Sequence, residues 1–170
     1  MYRKIRNIIS LFLLPVILLT GCYSFTGGSV PPHLKTIYIA TVKDNSGYGN
    51  PVYKQTLTQL LIDRFRNDNS FKVVDVGGDA RLEVSIAGIN DQPQTISTGT
   101  SGTLENERKI TVNCSVKYYD AVKKKEIWNK RVSNYNIYDL ANAQQARNEA
   151  VEEVLEQLSD DIVLAVVSGW

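Results

Sequence analysis

From Ile110 to Tyr118 the chain alternates strictly, with Ile110, Val112, Cys114, Val116 and Tyr118 apolar and Thr111, Asn113, Ser115 and Lys117 polar. A period of two predicts a strand with one buried and one wet face. It places Cys114 on the apolar face, where a free cysteine is a small core side chain. Shorter stretches repeat the pattern. Lys35 to Val42 carries Ile37 and Ile39, Phe71 to Val76 is a short strand closed by Gly77-Gly78, and Ala80 to Asn90 points Leu82, Val84 and Ile86 one way. Glu126 to Tyr138, with Ile127, Trp128, Val132 and Tyr135, follows a polar turn from Asp120 to Lys125.

Two segments change period. Asn50 is a helix cap with Pro51 at the first position, where the missing N–H costs nothing. Leu57, Leu60, Leu61 and Phe65 then fall on one helical face, which ends near Asn67. A longer helix is expected from about Leu140 to Val167. Ala150, Val151, Val154, Leu155, Leu158, Ile162, Ala165 and Val166 form its buried stripe, flanked by Glu149, Glu152, Glu153 and Glu156.

The expected order is β-α-β-β-β-β-α. A right-handed crossover makes the first two strands parallel, and short connections make the rest antiparallel. The economical architecture is an α+β two-layer sandwich, with both helices on one face of a mixed, largely antiparallel sheet. Asp91 to Asn106, rich in Thr, Ser and Gly, is expected to be a long irregular loop. Following the strands up and down puts that loop, the N-terminal tether and the start of the last helix at one end. The Asp44–Asn50 loop, a Gly77-Gly78 hairpin and the Lys123–Lys125 turn go to the other.

The N-terminus lies outside this pattern. Arg3, Lys4 and Arg6 precede a mostly apolar run from Ile8 to Leu19, too short for an ordinary membrane span of roughly 20 residues. Leu19-Thr20-Gly21-Cys22 then has the form of a bacterial lipobox. Residues 1–21 are therefore expected to be removed, and the sulfur of Cys22 to carry the lipid. Residues 22–34, with Gly27-Gly28 and Pro31-Pro32, form a tether that leaves His33 exposed. Residues 35–170 form the folded domain. Removing the signal turns the formal charge of +1 into −2 over 149 residues and leaves Cys114 as the only free thiol. Two or more acyl chains give stable anchoring. Tyr23, rather than an aspartate, follows Cys22, which is compatible with delivery to the outer membrane.

The remaining composition excludes more chemistry than it offers. One histidine and two cysteines build neither a zinc site nor a disulfide scaffold. Balanced charge argues against a nucleic-acid-binding arm. There is no nucleophile elbow, P-loop or histidine–carboxylate metal spacing, so no catalytic residue and no cofactor are expected. Asp160-Asp161 are adjacent on a helix and point about 100° apart, so they do not form a catalytic pair. Lys123, Lys124, Lys125, Lys130 and Arg131 gather near the last hairpin. They are either a solvated turn or a contact for anions such as lipid phosphates.

Several stretches resemble one family. Cys22-Tyr23-Ser24-Phe25-Thr26-Gly27 is similar to the start of mature LptE lipoproteins, and Val30-Pro31-Pro32 with Lys35-Thr36-Ile37-Tyr38-Ile39 continues the likeness. So do Leu57-Thr58-Gln59-Leu60-Leu61, Leu82-Glu83-Val84-Ser85-Ile86 with Gly88-Ile89, Arg108 to Tyr118, and a last acidic helix ending in Gly169-Trp170, as in the Bacteroidota-type branch. The resemblance implies an outer-membrane lipoprotein that plugs and helps assemble the β-barrel LptD, the translocon delivering lipopolysaccharide to the outer leaflet. Its better-known members bind lipopolysaccharide through basic residues on loops at one end of the sheet. Here Asp91–Asn106 holds no Lys or Arg, so phosphate contact falls to the nearest strand cations, Arg108 and Lys109, with Arg147 in the last helix.

Two other classes fit part of the pattern. Lipoprotein activators of peptidoglycan synthases share the opening β-α-β layout. They usually carry a long linker after the cysteine, whereas Tyr23 to Leu34 is short. A lipid-anchored enzyme lacks a site.

Overall fold

The structure, a computed structural model, describes residues 30–99 and 102–168, with the backbone alone between 95 and 106. Its elements are β1 (Thr36–Ile39), β2 (Lys43–Asp44), α1 (Pro51–Asp68), β3 (Lys72–Val74), β4 (Ala80–Gly99), β5 (Gly102–Asp120), β6 (Lys125–Asp139) and α2 (Ala143–Ser168). The strands form one open sheet in the order β3-β1-β4-β5-β6, with β2 continuing β1 along the edge of β4. The expected α+β two-layer class holds. The short β2 is an addition to the expected order.

Each helix forms for local reasons and is held by its apolar stripe. Val52 N donates to the Asn50 side chain at 3.0 Å, Pro51 takes the first position, and Asn69 ends α1 in the left-handed conformation at φ 62°. Tyr53, Leu57, Leu61 and Phe65, four residues apart, are buried. Each contributes about 1.5–3 kcal/mol through burial. On α2 the buried set is Ala150, Val151, Val154, Leu155, Leu158, Ser159, Ile162, Val163 and Val166. Adjacent Asp160 and Asp161 diverge as expected: Asp160 pairs with Arg64 of α1 at 2.6 Å, and Asp161 accepts from Asn134 of β6 at 3.1 Å.

The helix-facing side of the sheet is the core. Leu82, Val84, Ile86, Ile110, Val112, Cys114, Val116 and Tyr118 are all buried, while the residues between them are partly exposed. A bulge between Ile86 and Gly88 then shifts the phase of β4 by one residue. Ile89 and Asp91, opposite Val112 and Ile110, therefore face the helices too.

Two expectations are corrected. Asp91–Asn106 is not an irregular loop. β4 and β5 run through it in antiparallel register to Gly99↔Gly102, past the point where β6 ends at Glu107↔Asp139. The resulting two-stranded ribbon reaches roughly 20 Å beyond the body. A ribbon with no layer behind it needs no apolar alternation, so its polar composition resembled a loop.

Gly77-Gly78 is not a hairpin either. β3 and β4 are both parallel to β1 and flank it, with Thr36↔Lys72 on one side and Ile37↔Ala80 on the other. The segment between them crosses against β1. A Cβ on Gly78 would lie 2.6 Å from the Tyr38 backbone nitrogen, so only glycine fits. This crossing exchanges two of the expected loop positions. The N-terminal segment shares an end with Gly77-Gly78 and the Lys123–Lys125 turn, here called proximal. The Asp44–Asn50 loop lies at the distal end, with Asp91 and the start of α2.

Candidate functional site

At the distal end one carboxylate collects donors from two neighbouring strands. Arg108 opposes Tyr138 across β5 and β6, and Asp91 lies diagonally from Arg108 on β4. Arg108 Nε is 2.6 Å from Asp91 Oδ1, Arg108 Nη2 donates to the Asp91 carbonyl at 3.0 Å, and Tyr138 Oη donates to Asp91 Oδ2 at 2.7 Å. Burial, reinforced by Asp91, pushes the Tyr138 phenol up to about 12. Arg147, in the first turns of α2, completes a cleft of about 270 Å³ with these residues, Leu140, Ala143 and Gln144. Its guanidinium lies 5.8 Å from the Tyr48 ring centroid and donates to Gln144 at 3.1 Å. Burial raises the Tyr48 phenol, opposed by Arg147.

The structure does not bring the two expected phosphate contacts together. Arg108 faces the helices. Lys109, the next residue of the same strand, lies on the uncovered face with its Nζ 3.9 Å from the Tyr135 ring centroid. Arg147 is the cation that shares the cleft with Arg108. The signal for this cluster was the phase slip from 82, 84 and 86 to 89, which carries Asp91 inward.

The proximal end mirrors this arrangement around Asp120, which is 4% exposed. His33 Nε2 lies 2.7 Å from its Oδ2, and Lys123 N donates to its Oδ1 at 2.8 Å. Burial works to raise the Asp120 carboxyl, but the Lys123 N–H and His33 outweigh it and hold the group below the usual carboxylate range. His33 is thus not exposed in a free tether, and Leu34 is buried beside it. Asp120 continues the even-numbered parity of Ile110 to Tyr118, which was the sequence signal for an inward carboxylate.

Of the other candidates, Cys114 is fully buried, and burial pushes its thiol up to about 12. Cys22 lies outside the described residues, as does the Gly169-Trp170 ending. Among the described residues no group of three or more His, Cys, Asp or Glu could hold a metal ion, and no helix is long and apolar enough to cross a membrane. The uncovered sheet face presents Ser85, Ser115, Glu83 and Lys117 around a shallow depression of about 220 Å³.

A family model described as LptE, lipopolysaccharide-assembly, matches residues 34–166. The chain belongs to the LptE family. Solved structures share the fold at low identity. The rare lipoprotein B from Shewanella oneidensis is 19% identical, with a TM-score of 0.51 over 75% of this chain and 92% of that one. A minor lipoprotein from Acinetobacter baumannii is 12% identical, with a TM-score of 0.53 over 80% and 94%. A Xanthomonas campestris protein is 12% identical, with a TM-score of 0.56 over 82% and 90%. No curated protein matches the sequence.

Proposed function

We propose that this LptE-family chain is a lipoprotein, acylated at Cys22 after removal of residues 1–21, and held on the periplasmic side of the outer membrane. There it plugs and helps assemble the LptD β-barrel, through which lipopolysaccharide reaches the outer leaflet. The observation that carries this reading is the family match across nearly the whole described domain. The uncovered sheet face suits it as well, because hydroxyl, amide and paired charged side chains are compatible with a polar barrel interior. A lipid anchor would confine the search for the barrel to one membrane surface.

Arg108 and Lys109 remain the proposed phosphate contacts, now as two separate contacts on opposite faces of β5. Arg147 is the residue placed to assist Arg108. Changing Lys109 to Ala leaves the Asp91 cluster intact and tests the outer contact alone. Unchanged lipopolysaccharide capture by that variant and by the Arg108→Ala, Lys109→Ala pair would remove the assignment.

The function itself is tested by affinity purification from envelopes. A co-purifying large β-barrel is the expected result. A peptidoglycan synthase in its place would replace this reading with that of a synthase activator.

A further inference from the structure

The Lys123–Lys125 turn has no role in the barrel reading, yet the structure joins it to the arriving N-terminal chain. Asp120 takes His33 on one oxygen and the Lys123 N–H on the other. Asp79 accepts from Lys35 N and Thr36 N at 3.1 and 3.0 Å, and its carbonyl accepts from Ala121 N at 2.8 Å. The first residues of the domain and the lysine turn therefore move as one body. Val30 is eight positions after Cys22, a reach of at most roughly 28 Å. A lipid on Cys22 would thus hold this end, and not the distal ribbon, close to the membrane.

The same end has the composition of a membrane contact. Lys123, Lys124 and Lys125 are all exposed, with Lys124 at the turn in the left-handed conformation at φ 52°. Lys35 and Lys72 are exposed nearby. Among the neighbouring acids, Asp79 and Asp120 are engaged by the chain, and Glu83 pairs with Arg81 at 2.8 Å. Asp75 and Glu126 are the exposed acids that flank the lysines. Val76 and Val122 project here, 81% and 57% exposed. Val76 lines one depression with Ala121, the neighbour of Val122. Exposed aliphatic side chains at the same end as a lysine turn suit a surface with phosphates outside and hydrocarbon beneath.

We propose that the proximal end is a membrane-docking surface. In it Lys123, Lys124 and Lys125 meet headgroup phosphates of the leaflet that holds the Cys22 lipid, and Val76 and Val122 enter the headgroup layer. Before it enters the barrel, the docked domain stands with its β4–β5 ribbon pointing away from that leaflet. The proposal rests on acylation at Cys22, and its test reads the two separately.

Full-length protein purified from membranes is placed in vesicles of phosphatidylethanolamine and phosphatidylglycerol, and the N-terminal peptide is weighed. An environment-sensitive fluorophore is attached at Val76→Cys or at Gln92→Cys, with brominated lipid as quencher; Cys114 is buried and does not compete. Strong quenching at position 76 and weak quenching at 92 is expected. Changing all three turn lysines to Gln should lower the ratio of docked to undocked protein about fivefold per lysine at low salt. Equal quenching at both positions, or stronger quenching at 92, overturns the proposal on an acylated protein. So does a triple variant that quenches like the parent while keeping its near-ultraviolet circular dichroism. An N-terminal peptide without lipid removes the anchor reading itself, and the proposal with it.

Discussion

Asp120 and Asp91 sit on the same face of the sheet at opposite ends, and each collects two partners. Asp120 holds His33 and the Lys123 N–H, groups from a chain segment and a turn. Asp91 holds Arg108 and Tyr138, side chains from β5 beside it and from β6 one strand further, at the root of the ribbon. The proximal carboxylate therefore fastens something arriving at the sheet. The distal one couples three strands where the third is about to end. Losing the first should free a segment, and losing the second should loosen the sheet.

The tightest test at the proximal end is not a charge. A methyl at Gly78 would press on the backbone of Tyr38 and Ala80, neither of which can yield without moving β1 or β4. Gly78→Ala should cost about 3 kcal/mol, read as a lower midpoint in urea unfolding. Gly77 provides the control. It has a φ of +67° but open space around it, so Gly77→Ala should cost about 1 kcal/mol. Equal costs would mean that conformation, and not the close crossing, is what glycine supplies here.

Asp91→Ala is expected next, at about 2 kcal/mol, because it takes the carboxylate from a half-buried guanidinium and removes the acceptor of a buried phenol. Asp91→Asn keeps an acceptor for Tyr138 and should recover part of that loss. A cost near zero for Asp91→Ala would show that the ribbon root is held by packing alone, and the contrast between the two ends would fail.

The difference between the ends also explains what was legible in the sequence. Where side chains face a core, the pattern was sufficient: Ile110 to Tyr118, the Leu57–Phe65 stripe and the Asn50-Pro51 cap all appear as read. Failure came where no core imposes a pattern. Residues 96–99 and 102–105 pair by backbone beyond the third strand, so polar residues such as Thr and Ser satisfy them. The direction of β4 turned on a five-residue crossing between parallel strands that periodicity does not encode. Arg108 and Lys109 looked like one cationic site because they are adjacent. Once β5 extends back to Gly102, the same period of two puts them on opposite faces.

Cys114 offers a smaller check on the shared core between the ends. With its thiol buried and pushed up to about 12, it should stay unmodified by a thiol reagent at pH 8 and react on unfolding. Modification of the folded protein at the rate of an exposed thiol would mean that the sheet centre opens locally.

The finest test separates the ends by acid. The Asp120 carboxyl is held below its ordinary value, so the fold favours its charged form. That contribution is complete above the unfolded carboxyl pKa of about 3.9 and is lost as pH falls through the lowered folded value. Asp79 is lowered as well, mainly by Thr36, so it adds acid sensitivity in the same window. Comparing the parent with Asp120→Asn subtracts that common part. The two should differ in susceptibility to proteolysis around Val30 to Leu34 at neutral pH and converge as pH falls through the lowered folded value. Asp91→Ala, which leaves His33 and Lys123 in place, should not expose that segment at either pH. If it does, the N-terminal segment is held by the sheet as a whole, and the proximal carboxylate is not a separate fastening.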